Sequence, residues 1–255
     1  MGLLSGLVSV YKLNETTGNR VNSLMSLDLV PSDAGATYST GKLGNCFYKS
    51  TDGANAYLRA TTTSFFQKFT QGSHTVSEWI KIPVAANFPV FYSNWNLSAN
   101  ATINSQIALN GAKLIWFTGD GTTLHSATST SSFSIDTWYH LVFTYDTQTK
   151  TKIAYVNKDI WITPVVATHV NRLIAGVYLD LGMGTGATDK KVYIDETYIW
   201  NRVLSQAEIT LLYNAGNGNF YDNTKPGQFD IETACQSSIL IGSGSATGNV
   251  IQVNV

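Results

Sequence analysis

Short runs in which apolar and polar residues alternate, separated by turn residues, recur along most of the chain. Such runs occupy residues 6–13, 45–49, 56–60, 74–82, 89–93, 105–109, 113–118, 139–145, 152–156, 172–179 and 191–200, each a length that suits a strand. Turn signals stand between many of them: Asp52-Gly53, Asn110-Gly111, Gly119-Asp120-Gly121 and residues 146–150. Asn-Gly and Asp-Gly supply the positive φ angles that tight hairpins need. One segment has helical spacing instead. Ser205-Gln206-Ala207-Glu208 is a capping box, Leu204, Ile209, Leu212 and Tyr213 form an apolar stripe, and Gly216 is the expected stop. A helix this short is marginal alone and must dock on the strands. Beyond Asp222 the character changes. Residues 223–227 read as a linker, and residues 228–255 carry only Asp230 and Glu232 as charges, with strand-like stretches at 237–241 and 249–255. The expected division is a β domain over residues 1–222 and a β-forming tail over 223–255. That tail either completes the sheet or pairs with another subunit, since an open strand edge invites partners.

Composition strengthens the β reading. Only 13% of residues are charged, against roughly 25% in an average globular protein. Thr, Ser, Asn and Gly fill the gap, alongside 13 Tyr and 11 Phe, a set that packs well on pleated surfaces. Glutamate is confined to Glu15, Glu78, Glu196, Glu208 and Glu232. A net charge of −1 offers no basic face to nucleic acid, and no run of about 18 apolar residues would span a membrane. The first ten residues lack a charged start and run directly into Tyr11-Lys12-Leu13, so they read as a first strand and not as a signal peptide. Cys46 and Cys235 are far apart and show no metal-type spacing.

Three segments, taken in order, resemble the laminin-G-like, concanavalin A-like lectin and glucanase superfamily. The first is Val10-Tyr-Lys-Leu-Asn-Glu-Thr-Thr-Gly-Asn-Arg-Val-Asn22 with Gly41-Lys-Leu-Gly-Asn-Cys-Phe47. The second is Thr137-Trp-Tyr-His-Leu-Val-Phe-Thr-Tyr-Asp146 with Ile153-Ala-Tyr-Val-Asn157. The third is Val192-Tyr-Ile-Asp-Glu-Thr-Tyr-Ile-Trp-Asn-Arg-Val-Leu-Ser205, running into Ala207-Glu-Ile-Thr-Leu-Leu-Tyr-Asn214. The resemblance covers about residues 6–216. It implies an all-β fold, a two-sheet antiparallel jelly-roll sandwich with one short helix in the C-terminal region. Its flavour is similar to versions carried on bacteriophage virions, which implies a virion-surface or extracellular location.

Some relatives cleave β-glucans with a Glu-x-Asp-x-x-Glu strand, and this chain has no such motif. Glycosidase chemistry needs two carboxyls about 5–10 Å apart, yet Glu78 has no acidic neighbour at suitable spacing. By strand alternation Glu196 is expected on the face opposite Asp195. His74, His125, His140 and His169 are scattered, with His140 read as structural. Calcium is the expected ion by resemblance, with Asp195, Asp28, Asp52 and Asn22 as candidate ligands. Where relatives carry Asp, this chain has Asn22, which removes a charge from a site that needs about six to eight oxygens. The plain alternative makes Asp195 a sheet hydrogen-bond acceptor and Asn22 a turn residue.

Glycan binding needs a flat aromatic for the apolar face of a sugar and polar groups for its hydroxyls. Trp138 and Trp200 lie in family motifs and read as core, as does Trp79. Trp95, Trp116 and Trp161 are the platform candidates, with Tyr178 and Asn94 beside them, and core or subunit contact is the competing reading for each. The expected function is a non-catalytic carbohydrate-binding or adhesion module that recognises a glycan or cell-surface polysaccharide, plausible as a phage decoration or receptor-binding protein. The rival is a purely structural virion protein that forms a homo-oligomer, or joins other virion proteins, through residues 223–255. A glycan hydrolase has the least support.

Overall fold

A computed structural model of the chain describes residues 2–51, 56–60, 72–83, 88–95, 103–119, 123–166, 178–183 and 191–222. The tail over 223–255, Cys235 and Asp52 lie outside the described residues. Two antiparallel sheets face each other. The first runs β13 (Asp159–Val166), β12 (Thr151–Val156), β11 (Tyr139–Asp146), β6 (His74–Lys81), β15 (Val192–Trp200), β4 (Asn45–Lys49) and β3 (Ala36–Thr40). Strand β1 (Leu7–Tyr11) joins it along the C-terminal half of β15. The second runs β10 (Leu124–Ser132), β9 (Lys113–Gly119), β8 (Ile103–Asn110), β7 (Val90–Trp95), β14 (Tyr178–Leu181), β5 (Leu58–Ala60) and β2 (Leu29–Pro31). This is the two-sheet sandwich expected from the alternating runs.

The main core lies between the sheets. From the first sheet it takes Val76, Ile80, Leu141, Phe143 and Ile194; from the second, Leu58, Tyr92, Ile107, Trp116 and Leu181. Phe143 joins the layers, its ring edge-on to Tyr92 at 5.0 Å and to Trp116 at 5.5 Å between centroids. Burying each such side chain contributes roughly 1.5–3 kcal/mol.

A second core covers part of the outer side of the first sheet. Helix α1 (Gln206–Tyr213) lays Ile209 and Leu212 there with Leu3, Val10, Val142, Tyr198, Trp200 and Leu204. The capping box forms as the spacing predicts: Ser205 Oγ accepts from the Glu208 amide, and Glu208 Oε2 accepts from the Ser205 amide at 2.8 Å. The helix stops earlier than Gly216. Asn214 adopts the left-handed conformation (φ 46°) and closes it, because a short polar side chain tolerates that region. The N-terminal segment is clasped to the end of β15, where Trp200 Nε1 donates to the Leu3 carbonyl at 2.6 Å and Arg202 Nε to the Ser5 carbonyl at 2.6 Å. Cys46 is a buried free cysteine, its thiol pushed up to about 12 by burial.

Strand β15 holds a bulge. Asp195 pairs with Trp79 and Tyr198 with Ser77, so one extra residue stands on β15, and Glu196 takes φ +50° there. Strict alternation after Val192 and Ile194 would drive Glu196 into the core. The bulge instead turns it outward, where Tyr198 Oη donates to its Oε2, and restores the phase for Ile199. Asp195 and Glu196 therefore share the outer side, contrary to the alternation expected from sequence. Among the described residues, no helix is long and apolar enough to cross a membrane.

Candidate functional site

The register of the second sheet builds one continuous row across its outer face, polar through its centre. Val30, Arg59, Asp180, Ser93, Gln106, Phe117 and Ser126 are successive cross-strand partners from β2 to β10. Partners in antiparallel register point to the same side, and the residues between them form the opposite, inner row: Leu58, Leu181, Tyr92, Ile107, Trp116 and Ala127.

At one end of the outer row the Arg59 guanidinium lies between two rings, 4.8 Å from the Tyr57 centroid and 4.4 Å from that of Tyr178. It also grips Asp180 with two hydrogen bonds, of 2.7 and 2.8 Å. Paired bonds of this kind fix the planar guanidinium in one orientation. Burial pushes the Asp180 carboxyl up to about 6, against the pull of Arg59. Further along, Ser93 and Gln106 are buried, and Ser93 Oγ and Gln106 Nε2 have no hydrogen-bond partner. An unpaired buried polar atom costs about 1–3 kcal/mol. The accessible part of the row thus combines half-buried aromatic faces with a fixed cation, while Ser93 and Gln106 lie beneath the surface.

The sequence candidates divide. Tyr178 belongs to this site, and the register sets Trp95 directly opposite it on β7; only the backbone of Trp95 is described. Asn94 points the other way. It is wholly buried, and its Nδ2 donates to the Tyr178 carbonyl at 3.0 Å, bracing β14 against β7 and leaving it unsuited to meet a ligand. Trp116 is not a platform. Its position in the inner row buries it to 1% exposure, and its Nε1 donates to Ser105 Oγ at 2.9 Å. Trp161, half-buried on edge strand β13, packs on Phe133 at 4.7 Å in the other sheet's rim and does not join Tyr178. Tyr57, Arg59, Asp180, Ser93 and Gln106 escaped the sequence reading. The signal was the alternation Tyr178-x-Asp180, which becomes informative only once the partners on β5 and β7 are known.

The described calcium candidates fall into two separate hydrogen-bond sets. Asp195 Oδ2 accepts from the Lys42 and Leu43 amides at 2.7 and 3.0 Å. Its Oδ1, Glu196 Oε1 and Thr197 Oγ1 are buried without hydrogen-bond partners. Burial pushes the two carboxyls up to about 7 and about 8. Asn22 and Asp28 instead pair with each other in the N-terminal loops, the Asn22 amide donating to Asp28 Oδ1 at 3.2 Å, and Asn22 Oδ1 accepts from Val10 and Leu24. Among the described residues no three His, Cys, Asp or Glu side chains are placed to hold a metal.

Comparisons with known proteins agree with this architecture. A family model, Laminin_G_3, described as the concanavalin A-like lectin/glucanases superfamily, matches residues 52–210. Comparison with curated proteins gives no match. Among solved structures, the chain is similar to the binding domain of Paraclostridial Mosquitocidal Protein 1, with TM-score 0.65 and 15% identity over 84% of this chain and 53% of that one. It is also similar to a botulinum neurotoxin type C structure, whose cell entry depends on interaction with two ganglioside molecules, with TM-score 0.62 and 12% identity over 83% and 51%. A Trypanosoma rangeli sialidase matches with TM-score 0.60 and 14% identity over 84% of this chain and 33% of the enzyme. At these identities the likeness is one of fold, and the chain spans about half the length of the two toxin structures. With more than half of its residues matched by the family model, the chain belongs to the concanavalin A-like lectin/glucanases superfamily, in its laminin G branch.

Proposed function

We propose that this chain is a non-catalytic carbohydrate-binding module that takes a glycan on the outer face of its second sheet. The observation that carries the reading is the stack Tyr57–Arg59–Tyr178, whose three side chains are only half-buried and whose cation is fixed by the buried Asp180. Such a stack offers stacking for a sugar ring and hydrogen bonds for its hydroxyls. Asp180 is the row's one carboxyl and is held by Arg59, so the row's described residues offer no acid–base pair of the kind hydrolysis requires. Ganglioside interaction by the botulinum type C protein supports the reading by analogy of fold. The sequence resemblance supports a surface-exposed role, on a virion or outside a cell.

The test is a glycan array with the purified chain, in calcium and again in chelator. Binding to a defined glycan, weakened tenfold or more by Tyr178→Ala and by Arg59→Ala in folded protein, is the expected result. A folded chain that binds nothing, or binds equally well in both variants, overturns this assignment. Loss of binding in chelator would bring Asp195, with its idle Oδ1, back as a calcium ligand.

A further inference from the structure

The first sheet carries an aromatic group of its own, away from helix α1. Tyr48 on β4, Tyr193 on β15 and Lys81 on β6 are consecutive cross-strand partners. Trp138 immediately precedes β11, whose Tyr139 pairs with Ile80, so it falls next to Lys81. The Tyr48 and Tyr193 rings stack at 4.3 Å, 10° from parallel. Trp138 stands edge-on to Tyr193 at 6.3 Å. The Lys81 ammonium sits 4.2 Å from the Tyr193 centroid and 5.4 Å from that of Trp138.

Three properties set this row apart from packing. Its rings belong to none of the hydrophobic clusters that close the sandwich or seat the helix. All four side chains are half-buried, so each keeps a face toward solvent. Lys81 has no carboxylate partner among the described residues and is held by π faces alone. A second ammonium, that of Lys42, lies 4.5 Å over the Trp79 ring, two positions along β6 on the same face.

We propose that Trp138, Tyr193, Tyr48 and Lys81 form a second binding site, for a sugar that bears a carboxylate. The rings present flat apolar surface to a pyranose, as sugar sites require. Lys81 supplies a compact point charge beside them for the carboxylate. A cationic ligand, the usual guest of an aromatic cage, is disfavoured because Lys81 already occupies the rings. A neutral sugar would leave the unpaired ammonium unused. Burial, with Tyr48 adding to it, pushes the Tyr193 phenol up to about 12, so it stays neutral. The site lies on the opposite side of the sandwich from Tyr178 and stands independently of the function proposed there.

The full chain is titrated calorimetrically with a galacturonate oligosaccharide and with a neutral glucan oligosaccharide of equal length, at low and high salt. The expected result is binding of the acidic probe, weakened by salt, as for any charge-led contact at a surface. Lys81→Gln and Trp138→Ala should each lower that affinity tenfold or more, with the neutral-glycan signals on the array unchanged in Lys81→Gln. Should Trp138→Ala fail to fold, the half-exposed Lys81→Gln variant decides alone. No binding by folded protein, equal binding of the neutral probe, or affinity unmoved by Lys81→Gln overturns the proposal, whatever the outcome at Tyr178.

Discussion

Glu78 is a carboxyl where an apolar residue is expected. Its neighbours along β6, Val76 and Ile80, face the main core, and it lies between them, fully buried, with neither oxygen hydrogen-bonded. Tyr92, whose hydroxyl is likewise buried without a partner, is close enough on the other sheet to be raised by any charge on Glu78. Burial pushes the Glu78 carboxyl up to about 8, from an ordinary value of 4.5, so at neutral pH it carries a proton. A raised carboxyl means the folded state binds the proton more tightly than the unfolded one. Its stabilising contribution is complete below about pH 4.5 and is lost as pH rises through about 8. Thermal unfolding should therefore give a midpoint that falls between pH 5 and pH 9, and Glu78→Gln should flatten that fall by several degrees. An identical pH profile in the variant would assign the dependence to other groups, such as Asp195 and Glu196. Nothing in the run His74–Lys81 announces this burial, since Ser77 and Glu78 are adjacent polar residues and either could have faced solvent. The tryptophans show the same limit. Trp116 stands in the β run 113–118 just before turn residues, and only the register shows that it faces inward.

At the level of elements, the central strands were plain in the sequence and the margins were not. Strands β4, β6, β9, β11, β12 and β15 coincide closely with the alternating runs. The four strands without a run of their own, β2, β3, β10 and β13, are the two edges of each sheet. An edge strand has one neighbour and open flanks, so it can be polar: β10 reads Leu-His-Ser-Ala-Thr-Ser-Thr-Ser-Ser, and β13 and β2 carry Pro164 and Pro31. Proline and hydroxyl side chains there discourage pairing with foreign strands, and the same features erase the apolar alternation. The β15 bulge was equally hidden, because it depends on Glu196 adopting a positive φ. The helix was legible in detail because its cap is local. Ser205→Ala should cost about 1 kcal/mol, seen as a drop of about 2–4 °C in thermal midpoint for a chain of this size. An unchanged midpoint would mean that the Arg202–Glu208 pair, 2.6 Å apart, holds the helix start without the serine.

For the molecule as a whole, the tail and the sandwich are separable expectations. If residues 223–255 are an assembly arm, a chain ending at Asp222 should keep its β-rich circular dichroism and lose subunits by light scattering. Unfolding of the shortened chain would show that the tail completes the sheet instead. Either result bears on a fold whose strands are not laid down in spatial order. Strand β15 sits inside the first sheet, between β6 and β4, and also receives β1, yet it is the last of the described strands to be made. During synthesis at about 5–20 residues per second, β1, β4 and β6 wait on the order of 10 s or more for their shared partner. The nascent chain thus spends that interval with unclosed apolar strands, and its yield in a cell should depend on chaperones that shield them until Trp200 has left the ribosome.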